Sequence, residues 1–286
     1  MSKQTTTTSW IVTVVVIVAV VAAGVYLVRR AMHADTLPTT AATLSNDSAP
    51  GSTATTEQPI QHPIGLAQAG PASASTAALP ALVDSDADVA AALSALVGGD
   101  SLRGVLVPKR IIARMVATVD ALPRHGGVSA FIAPAHPPKT AVMTTTVVGE
   151  TAMSAENAAR YAPYMTLLEN TDPQALVTWY VHAYPLFQKA YQQLGYPHGY
   201  FNDRLLVAID DLLAAPEQVH PAALQITKGY YRYVDPALES LSAGQKLLLR
   251  VGPANEAKIK AKLRDLRGKL IGQMPPSARV KQGGAG

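Results

Sequence analysis

The sequence of 286 residues contains no cysteine, and charged residues make up only 15% of it. Without cysteine the chain can form neither a disulfide framework nor a thiolate zinc site, and a cysteine nucleophile is excluded. The motifs H-E-x-x-H and G-x-S-x-G and a glycine-rich phosphate loop are also missing. The seven histidines show no spacing typical of metal ligands. We therefore expect no metal, no cofactor and no catalytic residue, and the sequence favours a protein that is not an enzyme.

A long apolar run lies near the amino terminus. Residues 10–28 carry no charge and are followed directly by Arg29 and Arg30. As a helix rising about 1.5 Å per residue, the run spans about 28 Å, close to the hydrocarbon thickness of a bilayer. The sequence predicts a single transmembrane signal anchor after a short polar N-terminus, residues 1–9. A cleaved signal peptide and a buried core helix are the alternatives.

The next segment, residues 29–78, is rich in Ala, Thr, Ser and Pro and is expected to be a disordered linker, because it offers little apolar surface to bury. Within it, residues 59–64 (P-I-Q-H-P-I) form a more apolar island between prolines. This island is either a docking stretch or plain linker, and composition favours linker. Lys3 precedes the apolar run and Arg29 and Arg30 follow it, so the positive-inside rule hardly distinguishes the two orientations of the anchor in the membrane. The linker composition favours a domain outside the cytoplasm.

From residue 79 onward the apolar residues recur at helical spacing, which predicts a mainly α globular domain over residues 79–271 and a flexible tail over 272–286. Several helix starts are marked by a capping residue before a proline or by a capping box: Asp172, Asp235, and Ser242 with Gln245. Pro108 is expected to open a helix, and Asn202 or Asp203 to cap another. Residues 140–153 carry the only strand signal, which predicts a small β-hairpin.

The stretch G-Y-P-H-G-Y-F-N-D-R-L, residues 195–205, joins two predicted helices. One interpretation makes it an interaction surface, because loops between rigid elements often carry function. The other, which the sequence favours, is a tight turn with anchoring aromatic side chains and a helix cap. The candidate interaction surface consists of Tyr196, Tyr200, Asn202, Asp203 and Arg204.

Three charged features remain. Residues 84–88 (D-S-D-A-D) lack the glycine and glutamate of a calcium loop and are better explained as acidic residues at a helix start. Asp203, Asp210 and Asp211 provide a distant candidate for acid/base chemistry, without a sign of a shifted pKa. Residues 246–281 hold ten basic and two acidic residues, which indicates a solvated basic helix or a surface for anionic lipids or an acidic partner.

Four stretches of the domain carry a family resemblance: Y-A-P-Y at 161–164, Y-P-L-F-Q at 184–188, residues 195–205, and L-S-A-G-Q-K-L-L-L-R at 241–250. They resemble a bacterial family of single-pass, membrane-anchored proteins that carry a domain of unknown function. Residues 60–64 resemble a stretch upstream of that domain. The resemblance implies an inner-membrane protein with its C-terminal domain in the periplasm, and it implies no activity.

Three functions follow as hypotheses. The first is a membrane-anchored interaction module of the cell envelope, because tyrosine combines apolar area with a polar tip at interfaces. The second is a domain that binds cell-wall glycan by stacking tyrosines on sugar rings. The third, more distant, is a carboxylate-based hydrolase. We expect the membrane, and another envelope protein or peptidoglycan, as partners, and no nucleic acid.

Overall fold

The structure is a computed structural model that describes residues 59–64, 79–102, 104–125, 132–136, 138, 143–145, 151–218, 221–227 and 230–272. The predicted transmembrane anchor, the tail beyond residue 272 and most of the predicted linker lie outside the described residues. Among the helices that are described, none combines the length and apolar character needed to cross a bilayer.

The described residues form eight α-helices and one small sheet, so the mainly α fold class is confirmed. The helices are α1 Asp86–Leu96, α2 Ile111–Ala121, α3 Ala162–Asn170, α4 Pro173–Gln193, α5 Phe201–Leu213, α6 Pro236–Glu239, α7 Ala243–Val251 and α8 Pro253–Gly272. The strands are β1 Met143–Thr145, β2 Thr151–Met153, β3 Ala223–Thr227 and β4 Tyr230–Tyr233.

The helix caps predicted at Asp172, Asp235 and Ser242 are confirmed. Asp172 accepts hydrogen bonds from two backbone N–H groups at the start of α4, and Asp235 accepts one at the start of α6. Ser242 and Gln245 form both bonds of a capping box at the start of α7. Each such cap contributes about 1 kcal/mol to helix stability.

The start of α2 differs from the prediction. Pro108 does not open this helix, which begins three residues later after Arg110, a residue with left-handed backbone at φ 53°. The first N–H groups are capped from a distance, because the Asp86 carboxylate accepts from Arg110 N at 2.6 Å and from Ile111 N at 2.8 Å. Asp86, in the first turn of α1, therefore caps the start of the neighbouring helix α2.

The sheet is antiparallel throughout, with strand order β1-β2-β3-β4. The predicted hairpin in residues 140–153 is confirmed as β1 and β2, with Met143 opposite Met153. The expectation that no other strand exists is wrong, because β3 and β4 extend the sheet with Leu224 opposite Tyr233. A second, smaller core of Leu224, Tyr233 and Leu238 lies against this extension.

The main core forms where α4 packs on α2 and α8, and where α5 packs on α2, α7 and α8. The apolar face of α4 is buried, whereas Leu194, directly after the helix, is 42% exposed. At the centre the rings of Trp179, Tyr180 and Phe201 surround Phe187, with centroids 5.3 to 5.7 Å apart. Burial of one such side chain contributes roughly 1.5–3 kcal/mol, so this aromatic cluster fixes α5 against α4.

The last helix buries Ile259, Leu263, Leu266 and Leu270, which recur at helical spacing in the sequence. Three of its basic residues contact other parts of the domain: Arg267 pairs with Asp210, Lys258 pairs with Glu169, and Lys260 donates to the Ala215 carbonyl at 2.6 Å. These basic side chains therefore join α8 to its neighbours.

The tight packing of α7 predicts opposite effects for two glycines. A Cβ on Gly244 would lie 2.8 Å from Cδ2 of buried Leu212 and 3.3 Å from the Leu122 carbonyl oxygen. Because overpacking costs about 1–3 kcal/mol, Gly244→Ala should lower the free energy of unfolding by at least about 1 kcal/mol in a urea titration. Gly268 in α8 has no atom within 4 Å of the same position, so Gly268→Ala should raise it by about 0.5–1 kcal/mol. Equal effects would contradict this packing.

Candidate functional site

The turn between α4 and α5, residues 194–200, is held by one side chain of α4. The Gln188 amide donates to the Gly199 carbonyl at 2.7 Å and accepts from Phe201 N at 2.9 Å, and it also accepts from the Tyr184 hydroxyl at 2.9 Å. At Gly199 a Cβ would lie 2.7 Å from the Tyr191 ring. Gln188 therefore fixes the backbone of the turn, and the Tyr191 ring leaves no room for a side chain at Gly199.

This turn lines a cleft of about 940 Å³. Four of the five residues of the candidate interaction surface line the cleft: Tyr196, Tyr200, Asp203 and Arg204. Asn202 is only 1% exposed and lies beneath them, where its side-chain oxygen accepts a hydrogen bond from the Tyr180 hydroxyl at 3.2 Å.

The predicted cap of α5 is wrong. The helix begins at Phe201, its N-cap is Tyr200 without a side-chain capping bond, and Asn202 and Asp203 lie within the helix. Asn202 and Asp203, which were expected to cap the helix, instead form hydrogen bonds with residues 61 and 62.

One of these contacts is the docking of residues 59–64. The Asp203 carboxylate accepts from the backbone N–H groups of Gln61 at 3.0 Å and His62 at 2.7 Å. Nδ1 of the His62 ring lies 3.1 Å from the same carboxylate. The Asn202 amide donates to the His62 carbonyl at 2.8 Å. Ile64 N donates to the Tyr200 hydroxyl at 2.8 Å. Residues 59–64 are therefore docked on the domain, and the favoured interpretation of this island as plain linker is wrong.

The floor of the cleft is organised by the carboxylate of Asp120, near the end of α2. It accepts from Arg124 at 2.6 Å, from Arg204 at 3.0 Å and from the Tyr196 hydroxyl at 3.2 Å. Its side chain is 11% exposed, and a buried carboxylate of this kind needs such partners to offset its lost hydration. One side chain thus links α2, the turn and α5.

Two guanidinium groups share this single carboxylate. Arg124 also donates to the Tyr196 hydroxyl, and its hydrogen bonds to Asp120 and Tyr196 raise the pKa of Arg124. Its side chain remains 53% exposed, against 21% for Arg204. The cleft therefore presents fixed, cationic donors beside aromatic rings, a combination enriched where proteins bind other proteins.

Two tyrosines at the cleft, Tyr191 and Tyr196, pack against each other. The rings of Tyr191 and Tyr196 stack with centroids 4.5 Å apart and planes 20° apart. Burial raises the pKa of Tyr191, so its hydroxyl stays protonated at neutral pH. One face of each ring is covered, which leaves less aromatic surface for a sugar.

The three carboxylates suggested for acid/base chemistry have separate partners. Asp203 binds residues 61 and 62, Asp210 forms an ion pair with Arg267 of α8, and Asp211 accepts from the Ser242 hydroxyl at 2.6 Å. Burial raises the pKa of Asp211, although the hydrogen bond from Ser242 opposes this. Each of the three carboxylates thus binds a different part of the chain. Within the described residues no group of three His, Asp or Glu side chains is placed to hold a metal ion.

Sequence reasoning missed Asp120, Arg124, Tyr191 and Val207, which also line the cleft. A signal existed for the first pair: Asp120 lies beside the buried stripe of α2, and Arg124 follows it by the four residues of one helical turn. No local signal pointed to Tyr191 or Val207, because their exposure depends on how α4 and α5 pack.

A comparison with protein families places most of the cleft inside a known family. The family model described as "Protein of unknown function (DUF3014)" matches residues 111–267, a range that contains Asp120 and the turn but not residues 59–64. No curated protein and no solved structure matches the chain.

The buried position of Asp211 predicts a pH dependence of stability. Because its pKa in the folded protein is raised above the ordinary 3.8, the folded state binds the proton more tightly than the unfolded chain. This contribution to stability is present at low pH and is lost as the pH rises through the raised pKa. From about pH 4 upward, Asp211→Asn should therefore lose less stability than wild type in urea titrations at stepped pH.

The control for this measurement is Asp84→Asn, which changes an exposed carboxyl. Its stability should follow the wild-type curve at every pH. If Asp211→Asn also follows the wild-type curve, burial does not shift the pKa of Asp211.

Proposed function

The chain belongs to the DUF3014 family, and we propose that it is a non-catalytic interaction module of the bacterial cell envelope whose partner binds in the cleft. In this proposal residues 10–28 anchor the chain in the inner membrane and the helical domain faces the periplasm. The apolar run and the family resemblance support the anchor and its sidedness. The cleft supports the binding role.

The observation that carries the proposal is the prearranged cleft. Its cationic donors Arg124 and Arg204 are fixed by Asp120, so a partner need not order them. Tyr196 and half-exposed Val207 add apolar contact area beside them. A site with this lining suits an acidic or polar peptide surface with apolar side chains.

The geometry favours a protein partner over the two other hypotheses. Stacking on sugar rings would need free tyrosine faces, whereas Tyr191 and Tyr196 cover each other. A hydrolase of the proposed kind would need Asp203 and Asp210 to act on one bond, whereas Asp210 is paired with Arg267 on α8.

The test places a photo-crosslinking amino acid, p-benzoylphenylalanine, at Val207 in intact cells that produce the chain. Val207 lines the cleft and is 50% exposed, and it takes no part in the hydrogen bonds of the site. Irradiation should give one discrete adduct that contains an envelope protein. The double change Arg124→Ala and Tyr196→Ala should reduce the yield at least several-fold, because it removes a fixed cation and an aromatic contact.

The matched control carries the same crosslinker at Val83, which is 81% exposed and does not line the cleft. This position should give no such adduct. Equal adducts from Val207 and Val83, no adduct from either, or an adduct that contains only glycan would overturn the proposal.

A further inference from the structure

The docked residues 59–64 are recognised mainly through their backbone. Asp203 accepts from two successive N–H groups, Asn202 donates to the carbonyl of His62, and the Tyr200 hydroxyl accepts from Ile64 N. Hydrogen bonds to the main chain fix the register of a bound segment, while pockets for its side chains provide selectivity. The chain bends at Gln61 and His62, and both of their N–H groups donate to the one carboxylate of Asp203. The residues Tyr200, Asn202 and Asp203 thus form a groove for a bent peptide, which we call the peptide groove.

Two side chains of the segment supply the selectivity. Ile64 is 8% exposed and joins the main hydrophobic core, and the half-buried His62 ring lies beside the Asp203 carboxylate. Between them Pro63 has no N–H to satisfy, and it favours an extended conformation at His62. The preceding residues Pro59 and Ile60 are exposed. The groove therefore reads the pattern His-Pro-Ile.

The groove is built for this occupant rather than merely covered by it. Asn202 is 1% exposed, and its two polar ends are matched by the Tyr180 hydroxyl below and by the His62 carbonyl above. The two charge-assisted hydrogen bonds to Asp203 are each of a strong type. Without residues 59–64, the Asn202 amide and the Asp203 carboxylate would lose these hydrogen bonds.

The cleft continues past the segment, because Pro59 and Gln61 form one of its walls beside Tyr196 and His198. A peptide longer than the segment would fill both the groove and the cleft. The chain's own segment has the advantage of connection, since only residues 65–78 separate it from the domain. Short connections give a local concentration in the millimolar range, so a covalently attached occupant need bind only weakly to stay in place.

We propose that the peptide groove binds a His-Pro-Ile peptide of the partner protein in the bent conformation of residues 59–64, and that these residues are its displaceable occupant within the chain. This inference rests on the proposed interaction function and names the chemistry of its partner. Displacement exchanges one set of backbone hydrogen bonds for another, so the partner gains affinity from the cleft that the chain's own segment leaves open.

The test measures binding of a fluorescent peptide, residues 57–66 (E-Q-P-I-Q-H-P-I-G-L), to the full chain in mild detergent by fluorescence anisotropy. Ile64→Asp in the chain should empty the groove, because it places a charge at a buried apolar position. The peptide should bind this variant at least tenfold more tightly than wild type, whose groove is occupied.

Gln61→Pro provides a second way to loosen the segment without altering the core, because it removes one N–H donor at an exposed residue. It should also tighten peptide binding relative to wild type, by a smaller factor. Circular dichroism should show the helical content of wild type for both variants.

The groove residue and its control are changed in the Ile64→Asp background. Asp203→Ala should weaken peptide binding at least tenfold, since it removes two hydrogen bonds to a charged acceptor. Asp210→Ala, an exposed aspartate of the same helix that pairs with Arg267, should leave binding unchanged. A labelled peptide with Asp in place of Ile64 should not bind.

Equal affinity of the peptide for wild type and both loosened variants would overturn the inference, as would an affinity that Asp203→Ala does not change. If the peptide fails in this way while the Val207 adduct persists, only the peptide pattern is wrong and the interaction function stands. Loss of both would overturn the two proposals together.

Discussion

The site depends on the shape of one short connection, the turn between α4 and α5. Gln188 fixes its backbone from the α4 side, and the carboxylate of Asp120 fixes Tyr196 and Arg204 around it. The hydrogen bonds of Gln188 span 11 and 13 residues of the chain, whereas those of Asp120 span 76 and 84. Because the turn and residues of α2, α4 and α5 together line the cleft, the packing of these three helices determines its shape.

The docked segment changes how the chain is divided. Composition separates a linker from a domain at about residue 79, yet residues 59–64 contribute Ile64 to the main core and a wall to the cleft. The cleft is therefore lined in part by a piece of chain that lies outside the matched family range.

The features that sequence predicted correctly are local ones. Asp172 and Asp235 precede prolines, and Ser242 precedes Gln245 by three residues, so each cap is completed within one turn of helix. The stripes of α4 and α8 were also readable, because burial follows the 3.6-residue period. Four of the five residues named in the stretch 195–205 line the cleft, and their role as an interaction surface stays a prediction.

The features that sequence missed depend on contacts between distant residues. Asp86 caps α2 from another helix, and Asp203 serves the backbone of residues 61 and 62 instead of its own helix. Both residue types also suit a local cap, so spacing alone favoured the local role. The spacing of Asp120 and Arg124 indicates a pair within α2, but the partners of Asp120 from the turn and from α5 depend on the tertiary packing and could not be predicted from spacing.

The docking of residues 59–64 is the central claim, and amide hydrogen exchange of the full chain, followed by mass spectrometry, tests it most directly. The N–H groups of Gln61, His62 and Ile64 donate to side chains of the domain, so the account predicts exchange at least about tenfold slower than in the isolated peptide. Asp203→Ala should restore the fast rate at these positions, and Asp210→Ala should not. Exchange of residues 61–64 in wild type at the rate of the free peptide would contradict the account.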